Sequence, residues 1–197
     1  GDALASAHRA GVIHRDVKPA NLFLSRDAEG RSLVKVLDFG ISKVTQDAAT
    51  DVSLTRTSAV LGSGMYMSPE QIRSAKTVDH RTDIYALGVC LFELLTGKRP
   101  YQASTFSELC LKVNLDPPEP IQRYRAEIPD DLARVIAKAY EKKADDRYPT
   151  VAAFLDALAN WASPETVALI ARIARDSAPV IASAPPQPRS VSPVVLL

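Results

Sequence analysis

Apolar and polar positions alternate with different periods along the chain, and each change of period marks an element. Residues 2–10, DALASAHRA, read as a helix that stops at Gly11, a residue suited to the left-handed turn that closes a helix. NLFLS (21–25) and LVKVLDF (33–39) read as short strands. RDAEGR between them is turn chemistry, so the pair predicts a β-hairpin. Residues 42–62 are rich in Ser, Thr, Asp and Ala without a period, which predicts a long loop of the functional or mobile kind. DIYALGVCLFELLT (83–96) is apolar nearly all round and then meets Gly97 and Pro100, the pattern of a buried helix. A short helix is expected over 104–113. In PDDLARVIAKAYEK (129–142), Pro129 and two acids at the start and Lys at the end match the helix dipole, and Leu132, Val135, Ile136, Ala139 and Tyr140 trace one face. Further helices are expected from about Thr150 to Trp161 and from about Pro164 to Arg175. After Asp176 the composition shifts to SAPVIASAPPQPRSVSP, which reads as a disordered linker. There is no internal repeat.

Composition narrows the function classes. A chain of 197 residues can bury one sizeable core, alone or with an appendage. A net charge of +1 leaves no electrostatic footprint for nucleic acid or an anionic membrane. Cys90 and Cys110 lie far apart in apolar surroundings, outside any CxxC pair, and read as buried free thiols of a reducing compartment. No signal peptide or membrane-length apolar run is visible. The first residue is Gly1 rather than Met, so the chain is expected to lack its start or to be a piece of a longer one.

The chemistry concentrates in HRDVKPANLFL (14–24). Asp16 and Asn21 stand five apart on a loop leading into a strand, and Asp38 follows on the next strand. A hairpin can bring its ends together, so Asn21 and Asp38 can face one pocket. Two oxygen ligands beside a carboxylate suit Mg²⁺, which keeps waters or phosphate oxygens as its other ligands. Lys18 adds a positive charge next to Asp16. Positioning and charge neutralisation do most of the work in phosphoryl transfer, and this set supplies both.

HRDVKPAN, followed in order by DFG (38–40), SPE (68–70) and DIYALG (83–88), resembles the C-terminal lobe of eukaryotic-type protein kinases. DVKPAN is similar to the Ser/Thr-specific branch, and GSGMYMSPEQ and DIYALGVCLFELLTGKRPY are similar to its bacterial members. The resemblance implies a mainly α fold with a small β-hairpin, a kinase-like α+β C-lobe lacking its N-lobe. It implies a lobe over residues 1–162, an additional helix over 163–176 and the Pro/Ser/Ala-rich linker over 177–197. It implies ATP and Mg²⁺ as cofactors, with Asp16 as catalytic base, Lys18 on the γ-phosphate, and Asn21 and Asp38 as metal ligands. Ser63 takes the place of the more usual Thr after Gly62 and would contact Asp16 and Lys18. His14 and Phe39 would stack between the lobes. Arg15 would receive a phosphate from the activation loop, on Thr57 first or Thr55, with Ser53 and Ser58 as weaker sites. Glu70 would pair with Arg147 as a buried ion pair, and Asp83 would hold the backbone of residues 14 and 15. The implied partners are protein substrates with Ser or Thr, the missing N-lobe and a second kinase copy, with no nucleic acid. The implied location is the cytoplasm, or the cytoplasmic part of a membrane-anchored parent.

Plainer readings compete at single residues. Asp38 before Phe39 and Gly40, taken alone, is an ordinary strand-ending turn, and the Thr/Ser cluster at 53–58 can be loop composition. His14 reads as a packed structural residue rather than a base, and His8 and His80 as surface or capping residues. GSGMYM lacks the third Gly and follows no strand, which excludes a phosphate-binding glycine loop. The Gly-rich loop over the phosphates, the strand Lys and the helix Glu of a whole kinase are absent from the sequence, so ATP handling by this piece alone is not expected. Two function classes follow: a fragment of an active Ser/Thr kinase, and a non-catalytic docking or regulatory module that keeps the lobe. The intact set of Asp16, Lys18, Asn21 and Asp38 favours the first.

Overall fold

The computed structural model describes residues 2–26, 28, 30, 32–38, 62–74 and 78–177. Phe39, most of the long loop with Ser53, Thr55, Thr57 and Ser58, and the Pro/Ser/Ala-rich segment after Ser177 lie outside the described residues.

The first helix, α1 (Asp2–Arg9), buries Leu4 and Ala5. It ends where Gly11 turns left-handed at φ 73°. The hairpin pairs β1 (Leu22–Arg26) with β2 (Ser32–Val36) antiparallel, from Leu22 opposite Val36 to Arg26 opposite Ser32. Both strands are shorter than their apolar runs suggest at the end that holds Asn21 and Leu37. Pro19, pre-set for a helical turn and without an N–H to lose, starts a 3-10 turn that carries Asn21 up to the strand instead of into it. At the same end Asp38 adopts φ 52°, which no strand residue can, so β2 stops before it. Leu22 and Val36 pack on the core, whereas Phe23, Leu24, Leu33 and Val34 are exposed on both faces of the hairpin.

The core is built around α3 (Arg81–Thr96), which follows the short α2 (Pro69–Arg73). Ile84, Tyr85, Val89 and Phe92 are completely or almost completely buried, as the all-round apolar pattern requires, and Leu94 is its one widely exposed large residue. Gly88 lets α3 approach α5 (Asp130–Ala139). A Cβ there would stand 2.8 Å from that of Ala139, closer than carbon atoms pack. The α3 helix closes on Gly97, left-handed at φ 68°, whose N–H bonds Glu93 O. Between them, α4 (Phe106–Leu115) starts on Thr105, whose hydroxyl accepts the Glu108 N–H, and buries Leu109 and Val113. The helix expected to reach Trp161 is divided: α6 (Val151–Ala157) tightens into a 3-10 turn over Ala159–Trp161.

The last helix, α7 (Pro164–Ser177), lies against α1 and α6. Ile170 and Ile173 are buried, Ile173 in a small cluster with Ala5 and Ala152, and Arg172 bonds Asp2 at 2.8 Å. The two cysteines are free. Cys90 is buried, and burial pushes its thiol up to about 12, whereas Cys110 is only half-buried, less than its apolar surroundings suggest. Among the described residues no helix is long and apolar enough to cross a membrane.

Candidate active site

The loop between α1 and the hairpin is held by one buried carboxylate. Asp83, on the first turn of α3 and 1% exposed, accepts the backbone N–H of His14 at Oδ2 and of Arg15 at Oδ1, both at 2.8 Å. The Arg15 carbonyl on the other side accepts the Gln71 side-chain N–H at 2.7 Å. Arg15 needs both, because its φ of 63° costs an L residue about 1–3 kcal/mol. Gln71 is itself fixed by Thr82, which donates to its Oε1 at 3.1 Å, and Thr82 contacts Ser68 at 2.6 Å.

His14 is fully buried, and both ring nitrogens are engaged. Nε2 donates to Leu37 O at 2.9 Å, and Nδ1 accepts the Asp16 N–H at 3.2 Å. This assigns the neutral Nε2–H tautomer and ties the loop to the end of β2, a packing role rather than a proton-transfer one.

Asp16, Lys18, Asn21 and Ser63 converge. Lys18 Nζ donates to Asp16 Oδ2 at 2.9 Å and to Ser63 Oγ at 3.0 Å, linking the loop to a residue 45 positions away. The Asn21 amide donates to the Asp16 carbonyl at 2.8 Å and to Asp16 Oδ2 at 3.2 Å. Those bonds use the amide nitrogen, so its oxygen, the metal-type ligand, is uncommitted among the described residues. Asn21 O accepts the Leu37 N–H at 2.8 Å, which brings Asp38 to the same end of the hairpin. Asp38 stands just beyond the strand, exposed and in the left-handed region. Among the described residues no three His, Cys, Asp or Glu side chains form a metal cage. An amide oxygen with one nearby carboxylate fits instead a hard cation that keeps water or phosphate oxygens, as Mg²⁺ does. Asp16 and Lys18 are both mostly shielded from water, at 13% and 19% side-chain exposure, so their charges act at low screening.

Below this group, Glu70 on α2 and Arg147 form a two-pronged pair at 2.6 and 2.8 Å. The Arg147 side chain is fully buried and its remaining N–H groups reach the carbonyls of Arg81, Glu141 and Lys142, so the guanidinium is saturated. Its plane lies over the Tyr85 ring at 5.0 Å. Burial pushes the Glu70 carboxyl up, but the hydrogen bonds and charge of Arg147 outweigh it and hold Glu70 below its ordinary value.

Several participants had no sequence signal. His8 is not a surface residue: its side chain is 9% exposed and Nε2 lies 2.7 Å from Asp83 Oδ2, so α1 shares the carboxylate that holds the loop. His80 precedes α3 but makes no side-chain cap; it reaches Pro149 O at 2.7 Å, with its ring 5.3 Å from that of His8. Gln71 and Thr82 were also overlooked, since single polar residues inside helices carry no local pattern.

Comparison with known proteins agrees with this geometry. The family described as Protein kinase domain matches residues 1–162. The chain is 42% identical over 150 residues to the serine/threonine-protein kinase PknB of Mycolicibacterium smegmatis, covering 76% of this chain and 23% of that protein. It is 42% identical over 154 residues to the serine/threonine-protein kinase pkn3 of Myxococcus xanthus, covering 77% and 28%. It is 43% identical over 155 residues to the tyrosine-protein kinase MasK of the same species, covering 77% and 22%. The chain thus spans about a quarter of the length of the curated relatives it matches. With most of its length inside the family pattern, and the catalytic-loop sequence folded around Asp83, this chain belongs to the protein kinase family.

Proposed function

We propose that the chain is the C-terminal lobe of a Ser/Thr protein kinase that transfers the γ-phosphate of ATP to Ser or Thr hydroxyls of proteins. The observation that carries this reading is the bonded group of Asp16, Lys18, Asn21 and Ser63. Asp16 would accept the proton of the attacking hydroxyl. Lys18, a mobile point charge already beside that carboxylate, would balance the phosphoryl oxygens. Ser63 would set the Lys18 ammonium between the base and the incoming chain. Asn21 and Asp38 would hold Mg²⁺ through their side-chain oxygens. When bound, ATP·Mg²⁺ supplies the phosphoryl group and much of the charge neutralisation.

Arg15 would bind a phosphorylated Thr57 or Thr55, since a phosphothreonine offers acceptor oxygens that suit a bidentate guanidinium pair. The groups that orient the triphosphate in a whole kinase have no counterpart in these 197 residues, so an N-terminal lobe outside them would supply those groups, and the piece alone would be inactive. Dependence on ATP argues for a cytoplasmic site, in a free or membrane-anchored protein. DVKPAN and the Lys18–Ser63 bond favour the Ser/Thr branch, although one relative is named a tyrosine kinase.

Phosphate transfer to a generic protein substrate by the full-length protein, followed by phosphoamino acid analysis, tests the reading. Phosphoserine and phosphothreonine are expected. No transfer by a folded full-length protein would leave a docking module that has kept the lobe.

A further inference from the structure

Asp16 is gripped on both sides by one distant stretch of chain, residues 63–71. On one side Ser63 Oγ accepts a hydrogen bond from Lys18 Nζ at 3.0 Å. On the other, the Gln71 amide on α2 donates to Arg15 O at 2.7 Å. No backbone N–H among the described residues donates to that carbonyl. The Arg15–Asp16 peptide group carries this carbonyl at one end and the Asp16 N–H at the other, which His14 Nδ1 accepts at 3.2 Å. Its plane is therefore held at both ends. The next residue, Val17, is 1% exposed in the core. With the preceding peptide plane held and the following residue anchored, the direction in which Asp16 projects its carboxylate is set as well.

Gln71 is itself oriented by a chain of donors. Thr82 donates to Gln71 Oε1 at 3.1 Å, which leaves Ser68 as the donor in its 2.6 Å contact with Thr82. Ser68 Oγ in turn accepts the Gln71 backbone N–H at 3.3 Å. With Oε1 committed to Thr82, the amide nitrogen faces Arg15. Thr82 and Asp83 are neighbours on the first turn of α3, so that turn holds Arg15 by both backbone groups, the N–H through Asp83 and the carbonyl through Thr82 and Gln71. The crevice that Gln71 and Thr82 line together with Asp16 and Ser63 is about 10 Å³, at the lower limit for one water, so solvent has little room to replace the amide. Ser68 and Thr82 are buried. Packing alone would be served by apolar side chains here; a buried polar chain costs desolvation and gains a single geometry.

We propose that Gln71, supported by Thr82, is a positioning residue for phosphoryl transfer: it fixes the peptide group before Asp16 and so aims the Asp16 carboxylate. This rests on the kinase reading above. Residues 63–71 then set the base and the Lys18 ammonium together, from either side.

The test compares Gln71→Met, Thr82→Val and the double variant in the full-length protein, with peptide phosphorylation as the readout. Gln71→Met keeps the length of the side chain and removes the amide. Its kcat is expected to fall about tenfold to a hundredfold, with the KM values for ATP and peptide within about threefold, because misplacing a catalytic group by about 1 Å has an effect of that size. Thr82→Val removes only the donor behind the amide and should cost less. The double variant should be no slower than Gln71→Met, since Thr82 acts through Gln71. Ile173→Ala, a core truncation on α7, controls for lost stability alone and should leave kcat within about twofold at a temperature where it is folded. Should Gln71→Met fold poorly, Thr82→Val takes its place: a kcat loss of about threefold or more supports the role, and an unchanged kcat removes it. Hydrogen exchange supplies a readout that needs no activity. The Asp16 N–H should exchange faster in Gln71→Met while the middle of α3 is unaltered. A Gln71→Met kcat within about twofold of wild type, additive losses in the double variant, or unchanged exchange at Asp16 overturns the proposal. The kinase reading fails separately: no transfer by the wild type would sink that reading, and the exchange comparison would still show whether Gln71 holds the peptide group.

Discussion

Asp83 and His14 stand 69 positions apart in the chain, yet the Asp83 carboxylate accepts the His14 backbone N–H at 2.8 Å in a buried site. The other oxygen takes the N–H of Arg15, and the His8 ring approaches the first. One side chain of the core helix thereby sets the path of the loop that carries Asp16. The left-handed Arg15 backbone is stable only because Asp83 and Gln71 hold it from both sides.

Asp83→Ala removes the acceptor of those N–H groups. Each orphaned buried donor costs about 1–3 kcal/mol, so a loss of roughly 2–5 kcal/mol is expected in urea denaturation. A loss below about 1 kcal/mol would mean that water replaces the carboxylate.

Asp16→Asn keeps the shape of the side chain and its Asn21 contact but removes the proposed proton acceptor and the charge opposite Lys18. The full-length protein should lose nearly all phosphate transfer while its melting temperature stays within a few degrees. Near-normal transfer would take Asp16 out of the base role.

Arg147→Ala leaves Glu70 without its partner and should destabilise by about 3–5 kcal/mol in equilibrium denaturation. The pH dependence has a definite sign. Glu70 is held below its ordinary 4.5 in the folded protein, so its contribution is complete above 4.5 and disappears as the pH falls through the lower folded value. The stability difference between wild type and Glu70→Gln should therefore shrink on acidification below that value. A difference that grows on acidification would show that burial, not Arg147, governs Glu70.

Ile173→Ala tests whether α7, beyond the residues that the family pattern matches, is part of the lobe. Ile173 is 1% exposed against Ala5 and Ala152, so the expected cost is about 2–4 kcal/mol in the same cooperative transition. An unchanged main transition, with α7 melting earlier by hydrogen exchange, would make it an independent appendage.

The elements were legible wherever a local pattern is strong. The all-round apolar run of α3, the dipole-matched ends of α5 and the turn chemistry of the hairpin are short-range properties, and each appears close to its expected place. His14 to Asn21 could be read as one group because they are contiguous. Boundaries were less legible. Asn21 and Asp38 look like strand residues by composition, but Pro19 and the left-handed Asp38 backbone remove them from the strands.

What the sequence by itself determined is the set of elements, the family they resemble and the candidate chemistry of the catalytic loop, because these depend on neighbours in the chain. Only the tertiary structure decided that His8 shares Asp83, that Gln71 clamps Arg15, and that Arg99 pairs with Glu93. The physical reason is that His8, Gln71 and Asp83 are isolated polar residues on separate helices. Their roles come from helix packing at Gly88 and along α3, which brings distant hydrogen-bonding groups into buried sites where each must find a partner.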